Sequence, residues 1–124
     1  MASSLEIAGI NKRFGSGDKS VEVLRRVDIH VAPGEFLILV GPSGCGKSTM
    51  LRLIARFWDV DSGSVQIGGA DVRNIPTPTL MRNISMVFQD VYLFDTTIRE
   101  NVRMARPDAT DAELEAAARA ARLD

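Results

Sequence analysis

Apolar and polar residues alternate along two early segments of the chain, Leu5 to Ile10 and Val21 to Val31. One side of the second segment carries Val23, Arg25, Val27, Ile29 and Val31. A period of two residues is typical of strands with one buried face, so the pattern predicts two half-buried strands. The residues between them include the run 14–18, Phe-Gly-Ser-Gly-Asp, whose composition predicts a turn.

A different pattern follows the break at Ala32-Pro33-Gly34-Glu35. The uninterrupted apolar run from Phe36 to Val40 predicts a short strand buried on both faces, as found inside a parallel sheet. From Lys47 to Phe57 the apolar residues recur at helical spacing, at Met50, Leu51, Leu53, Ile54 and Phe57. The order is therefore strand, glycine-rich bend and helix.

The remainder of the chain predicts shorter elements. Residues 59–63 form a turn, Ser64 to Ile67 a short strand, and residues 76–78 a loop that opens a helical turn around Leu80. The apolar segment from Ile84 to Phe88 predicts another buried strand.

Two helix starts close the pattern. Thr97 and Thr110 are each followed three residues later by a glutamate, the spacing of a capping box, and Pro107 separates the two helices. Strands that alternate with helices indicate a single α/β domain.

Composition and charge limit the possible partners. The formal net charge of -1 provides no general attraction for nucleic acid or anionic lipid, so neither is expected as a partner. The single cysteine, Cys45, excludes an internal disulfide, and no signal-peptide pattern opens the chain, which favours a cytoplasmic location. No apolar run approaches the roughly 20 residues that a membrane-spanning helix requires, so no membrane span is expected.

The chemistry is concentrated in Gly41-Pro42-Ser43-Gly44-Cys45-Gly46-Lys47-Ser48, which fits the phosphate-binding pattern G-x-x-x-x-G-K-[ST] in full. Its glycines allow the backbone N–H groups to converge on an anion in front of the positive end of the helix dipole. Lys47 adds a mobile charge for the β- and γ-phosphates, and the Ser48 hydroxyl is suited to bind Mg²⁺. The sequence therefore predicts a nucleoside triphosphate site between the predicted strand and helix.

Residues 35–49, Glu-Phe-Leu-Ile-Leu-Val-Gly-Pro-Ser-Gly-Cys-Gly-Lys-Ser-Thr, closely resemble the P-loop of ATP-binding cassette (ABC) transporter nucleotide-binding domains. Upstream, Lys12-Arg13-Phe14-Gly15 resembles the family's aromatic loop, and downstream, Met86-Val87-Phe88-Gln89-Asp90 resembles its Q-loop. The resemblance implies a P-loop NTPase-like core behind an amino-terminal antiparallel β-subdomain, with ATP and Mg²⁺ as cofactors. It also implies two partners, a transmembrane permease domain and a second ATPase domain.

The same resemblance assigns roles to individual residues. Phe14 would stack on the adenine, and Gln89 would contact Mg²⁺ and the attacking water, with Ser48 as the other metal-binding side chain. The phosphates would be held by Gly41, Ser43, Gly44, Cys45, Gly46, Lys47, Ser48 and Thr49.

Each secondary assignment has a structural alternative. Phe14 is equally suited to covering the small sheet, and Gln89 to ending a strand. Cys45 is better explained as a small residue tolerated in the loop than as a redox switch, and His30 as a surface histidine on a strand.

Other features of the family are absent from the 124 residues: the acidic strand ending in Asp-Glu, the Leu-Ser-Gly-Gly-Gln signature segment and the switch histidine. The expectation is a partial domain truncated before the signature helix and the second acidic strand. Because hydrolysis depends on a positioned water and on stabilised transition-state charge, no catalytic residue is assigned and turnover by the chain alone is expected to be weak or absent. An open sheet edge would also favour self-association.

The two parts of the chain resemble different relatives. Residues 1–55, which contain the β-subdomain, the P-loop and its helix, resemble importer subunits, whereas residues 56–124, with the Q-loop strand and the following helices, resemble exporter domains. A chimera of two relatives or a shortened chain would explain the mixture. Two functional alternatives also stay open, a competent ATPase subunit completed by a partner chain and a fold fragment in which nucleotide binding is incidental.

Overall fold

A computed structural model describes residues 3–90 and 92–123. The chain divides into two compact units, and the boundary in the sequence lies between Met86 and Val87. The helices and strands of the first unit are β1 (Leu5–Phe14), β2 (Val21–Val31), α1 (Lys47–Ile54), β3 (Ser62–Ile67), β4 (Ala70–Asp71) and α2 (Thr77–Arg82). Two short 3-10 turns, Gly17–Lys19 and Val72–Asn74, join them. The second unit contains α3 (Ile98–Arg103) and α4 (Asp111–Ala120). The subdivision after residue 55 stays a prediction.

The first unit is built on an antiparallel sheet with the strand order β2-β1-β3-β4. The predicted strands at Leu5, Val21 and Ser64 are all present. Side chains from the sheet and from both helices share one core, whose buried members are Ile7, Ile10, Leu24, Met50, Leu53, Val65, Val72 and Leu80. The sheet thus provides the floor on which α1 lies.

A β-bulge in β2 changes which residues face this core. Ile10 pairs with Val27 but Lys12 pairs with Leu24, so β2 contains one extra residue between the two pairs. Arg26 takes a left-handed backbone with φ 46°, and its N–H donates to Asn11 Oδ1 at 3.0 Å. As a result Leu24, only 5% exposed, points inward. The prediction that Arg25 shares a side with Val27 is therefore wrong, because strict alternation cannot anticipate an inserted residue.

Leu24 meets the start of α1 at Gly46. This glycine has φ 96°, and a Cβ at its position would lie 2.8 Å from Leu24 Cδ2 and 3.1 Å from the Val23 carbonyl oxygen. No other residue type combines this backbone with so close an approach. The bulged strand consequently fixes where α1 begins.

The carboxyl end of α1 is closed by a Schellman motif. Arg56 adopts φ 56°, and its N–H donates to the Leu53 carbonyl at 3.1 Å while the Phe57 N–H donates to the Arg52 carbonyl at 2.8 Å. The helix therefore ends at Ile54, three residues earlier than the apolar spacing up to Phe57 predicts.

The two predicted buried strands, Phe36 to Val40 and Ile84 to Phe88, are absent from the described residues, where both segments are irregular. Most of their side chains are exposed, with Phe36 at 86%, Val40 at 90% and Val87 at 99%, whereas Leu39 and Ile84 are half-buried against the core. An interior strand of a parallel sheet takes its hydrogen bonds and its burial from strands on either side. Among residues 3–90 and 92–123 every strand pair is antiparallel, and none includes these segments.

The second unit confirms both predicted helix starts. The Thr97 hydroxyl accepts from the Glu100 N–H at 3.1 Å, and Thr110 forms a complete capping box with Glu113. Asp111 at the start of α4 pairs with Arg99 at 3.0 Å and with Arg103 at 2.5 Å, both on α3. These ion pairs link α3 to α4, and each cap stabilises the start of its own helix.

The capping box of α4 predicts a measurable acidity. Hydrogen bonds from the Thr110 N–H and hydroxyl, together with Arg106, lower the pKa of Glu113 to about 2. Since this folded pKa lies below the unfolded value of about 4.3, the cap contributes its full stabilisation above about pH 4.3 and loses it as the pH falls towards 2. Carboxyl ¹³C NMR should show Glu113 titrating near pH 2, and Thr110→Ala should move the midpoint upward. A Glu113 midpoint near pH 4 in the unsubstituted chain would contradict the capping geometry.

The contact between Gly46 and Leu24 predicts a difference between two glycines of the same loop. Gly44 also has a left-handed backbone, φ 79°, but a Cβ there would meet nothing within 4 Å. Gly44→Ala should therefore lower the free energy of unfolding by about 1–2 kcal/mol from backbone strain alone. Gly46→Ala should lower it further because of the overlap with Leu24.

Urea denaturation of the two variants measures the difference. Leu24→Ala alone should also cost stability, because Leu24 is buried in the core. In the Leu24→Ala background, however, Gly46→Ala should cost less than it does in the unsubstituted chain, because the side chain in the way is removed. Equal losses at Gly44 and Gly46 would show that steric contact with β2 is unimportant.

Candidate functional site

The glycine-rich bend leads directly into α1, as the sequence predicts. The first helical hydrogen bond runs from the Met50 N–H to the Gly46 carbonyl at 2.9 Å. The N–H groups of Lys47, Ser48 and Thr49 therefore have no acceptor within the helix, and the N-cap residue, Gly46, provides no side-chain cap. Several N–H donors at the positive end of a helix dipole form a site for an anion.

Lys47 places its ammonium group over this bend. Its Nζ donates to the Gly41 carbonyl at 2.5 Å, to the Pro42 carbonyl at 2.8 Å and to Cys45 Sγ at 3.2 Å. An ammonium group has three donors, so all three are used by the loop itself. The loop thus carries a positive charge at its mouth, on a flexible side chain that an anion can draw away.

Cys45 lies beside the lysine rather than in the core. Its thiol is exposed, and the hydrogen bond with Lys47 is the main reason that the pKa of Cys45 is lowered. A Cβ at Gly41 would lie 2.7 Å from Cys45 Sγ, so the thiol packs directly against the Gly41 backbone. Ser48 is exposed and Thr49 half-buried on the first turn of the helix. The loop residues assigned from the sequence, from Gly41 to Thr49, are therefore brought together.

Phe14 lies at the end of β1, half-buried, and its closest aromatic partner is Trp58. The ring centroids are 4.9 Å apart and the planes meet at 71°, an edge-to-face contact. Lys12 Nζ lies 5.3 Å from the Phe14 centroid. Sequence reasoning missed Trp58. The sequence signal for it was limited to the position of the single tryptophan just after the helix predicted from Lys47.

Gln89 occupies an exposed bend of the second unit, not the end of a strand. His30 is exposed on β2, with its ring nitrogen 3.8 Å from the Glu6 carboxylate, which agrees with a surface histidine. Within residues 3–90 and 92–123, no three His, Cys, Asp or Glu side chains cluster as metal ligands. Over the same residues no helix is long and apolar enough to span a membrane.

Comparison with known proteins places this geometry in a family. A family profile described as ABC transporter matches residues 24–124. ATP-binding cassette sub-family B member 6 of Xenopus tropicalis is 47% identical over 100 residues, which cover 81% of this chain and 12% of the frog protein. The mitochondrial iron-sulfur clusters transporter atm1 of Aspergillus fumigatus is 45% identical over 102 residues, or 82% of this chain and 14% of that protein.

A solved structure gives the same result for the fold. A bacterial Atm1-family ABC exporter with ATP bound superposes with a TM-score of 0.87 at 35% identity, over 98% of this chain and 21% of the exporter. The chain therefore spans a small part of the length of the relatives that it matches. The match over residues 24–124 and this superposition together show that the chain belongs to the ABC transporter family, as part of its ATP-binding domain.

Proposed function

We propose that the chain binds ATP and Mg²⁺ through the bend at Gly41–Thr49. The observation that carries this proposal is the start of α1, where three N–H groups without helical acceptors lie next to the Lys47 ammonium. Charge-assisted hydrogen bonds of this kind each contribute about 1.5–3 kcal/mol, and a few of them offset the cost of association. The backbone of Ser43, Gly44, Cys45 and Gly46 would surround the phosphates, and Lys47 would exchange its carbonyl contacts for phosphate oxygens.

The remaining ligand contacts follow from the family resemblance. Ser48, exposed on the first turn of α1, is the side chain that would bind Mg²⁺ within the first unit, and Gln89 is the second metal-binding side chain that we propose. Phe14 would hold the adenine base. A magnesium ion bound there would neutralise phosphate charge, which Lys47 alone does not balance.

We further propose that the 124 residues by themselves bind nucleotide with weak or absent hydrolysis. No Asp-Glu pair in them is suited to orient an attacking water. The alternatives are a competent ATPase subunit completed by a partner chain, and a fold fragment for which nucleotide is incidental. The mixed importer-like and exporter-like ancestry stays a prediction, which the intact parent gene would test.

The proposed partners are a permease domain and a second ATPase domain, at the cytoplasmic face of a membrane. One relative, the mycobactin import ATP-binding/permease protein IrtA of Mycolicibacterium smegmatis, is 42% identical over 83% of this chain. The name of that protein joins an ATP-binding part to a permease part. In the second unit an apolar hollow of about 700 Å³ is lined by Tyr92, Phe94, Val102 and Met104, among others. Its exposed aromatic side chains support a docking role for this surface.

Calorimetric titration with ATP tests the main proposal. Lys47→Ala should weaken ATP binding at least about tenfold, because it removes the one cation at the loop, whereas Lys19→Ala, an exposed lysine in a 3-10 turn, should have little effect. Adding Mg²⁺ should strengthen binding to the unsubstituted chain.

Two results would contradict parts of this proposal. A folded chain that shows no ATP binding would favour the incidental-fragment alternative. Steady ATP hydrolysis that Lys47→Ala abolishes would favour the competent subunit.

The exposed apolar segment at residues 36–40 also supports self-association. Phe36, Ile38 and Val40 are exposed, and Leu37 and Leu39 line an apolar hollow of about 590 Å³ next to α1. Sedimentation of the chain should show concentration-dependent dimers or larger species, and Ile38→Lys should shift it towards monomer. Val21→Lys is a matched control, because Val21 is equally apolar and exposed but lies on β2. Monomer alone at high concentration would contradict this proposal.

A further inference from the structure

The contact between Phe14 and Trp58 joins two parts of the first unit that are distant in sequence. Phe14 ends β1, whereas Trp58 follows the closing turn of α1. The helix that presents the phosphate-binding N–H groups at its amino end therefore presents an aromatic ring to β1 just beyond its carboxyl end.

Trp58, which is 37% exposed, is contacted from the helix side. The Schellman motif at Arg56 and Phe57 sets the direction of the chain as it leaves α1. The Arg52 guanidinium lies 5.2 Å from the Trp58 ring centroid, a cation-π contact from the last turn of the same helix. Arg56 also pairs with Asp59 at 3.5 Å, one residue after the tryptophan.

The two residues before Phe14 in β1 contact the segment that follows Trp58. Lys12 Nζ donates to the Asp59 carbonyl at 2.8 Å and to Asp61 Oδ1 at 3.2 Å. The Arg13 N–H donates to Asp61 Oδ2 at 2.7 Å, and this bond is the main reason that the pKa of Asp61 is lowered. Both oxygens of the Asp61 carboxylate thus accept hydrogen bonds from the end of β1.

We propose that Trp58 is a positioning residue for nucleotide binding, which fixes the Phe14 ring at a set distance from the P-loop. This inference rests on the proposed function, since Phe14 must be the platform for the base. Trp58 acts through Phe14 and not on the phosphates. It therefore affects the affinity for a nucleotide that carries an aromatic base, but not the affinity for the triphosphate group.

Calorimetry with two ligands tests this distinction. In the presence of Mg²⁺, Trp58→Leu should weaken binding of ATP about 2- to 10-fold, the range of an aromatic edge-to-face contact, and leave binding of inorganic tripolyphosphate unchanged. Trp58→Phe keeps an aromatic edge and should restore ATP binding to within about twofold. Phe57→Leu, a neighbouring exposed aromatic outside the Phe14 contact, is the control and should change neither ligand.

Fluorescence gives a second readout in the unsubstituted chain. Trp58 is the only tryptophan, so its emission should change when ATP binds next to Phe14 and should change little with tripolyphosphate. Phe14→Leu should remove the ATP-specific change. This measurement keeps the inference testable even if Trp58→Leu does not fold, which circular dichroism would reveal.

The outcomes separate the two proposals. Equal weakening of ATP and tripolyphosphate by Trp58→Leu, or no weakening of either, would overturn the positioning role while leaving P-loop binding intact. An emission change of the same size with both ligands would overturn it too. Failure of the unsubstituted chain to bind either ligand would overturn the proposed function and this inference with it.

Discussion

The close approach between Gly46 and the bulged strand β2 is the constraint on which the site depends. An anion site at a helix start requires that the first N–H groups stay free of acceptors and point in one direction. Here the direction is set by seating a left-handed glycine against Leu24 and the Val23 carbonyl, at distances that leave no space for a side chain. Leu24 itself faces inward only because an extra residue in β2 shifts the alternation. A small irregularity in the sheet thus places the chemistry of the loop.

The second requirement of the site is a positive charge at the loop that Gly46 places. Lys47 is the cation at the loop, and its three donors are satisfied by the Gly41 and Pro42 carbonyls and by Cys45. A charged group held by neutral acceptors is a better donor to an anion than one neutralised by a carboxylate, because no ion pair has to be broken first. The lowered pKa of Cys45 is a consequence of the same ammonium group. Among the described residues the ammonium group thus forms no ion pair, although Glu35 lines the same hollow as Lys47.

The sequence predicted those features that depend on neighbours in the chain. The glycine-rich bend, the start of α1 at Lys47 and the caps at Thr97 and Thr110 all arise within a few residues, and all are observed. Features that depend on distant residues were missed. The bulge at Arg26 needs Asn11, and the aromatic partner of Phe14 is Trp58. The strand predicted at Phe36 to Val40 shows the same limit, since its apolar run describes an environment that strands elsewhere must provide.

Binding and turnover consequently place different demands on the chain. The groups proposed to hold the phosphates and the base lie between Phe14 and Asp61, on elements joined by hydrogen bonds, ion pairs and aromatic contacts within the first unit. These contacts fix the end of β1 against the segment after α1, whereas residues 36–40, which lead into the loop, form no strand. Hydrolysis needs further groups aimed at a water and at charge that exists only in the transition state. Under the proposed function, affinity for ATP would be a local property of these residues, and catalysis would need further groups of the kinds just named.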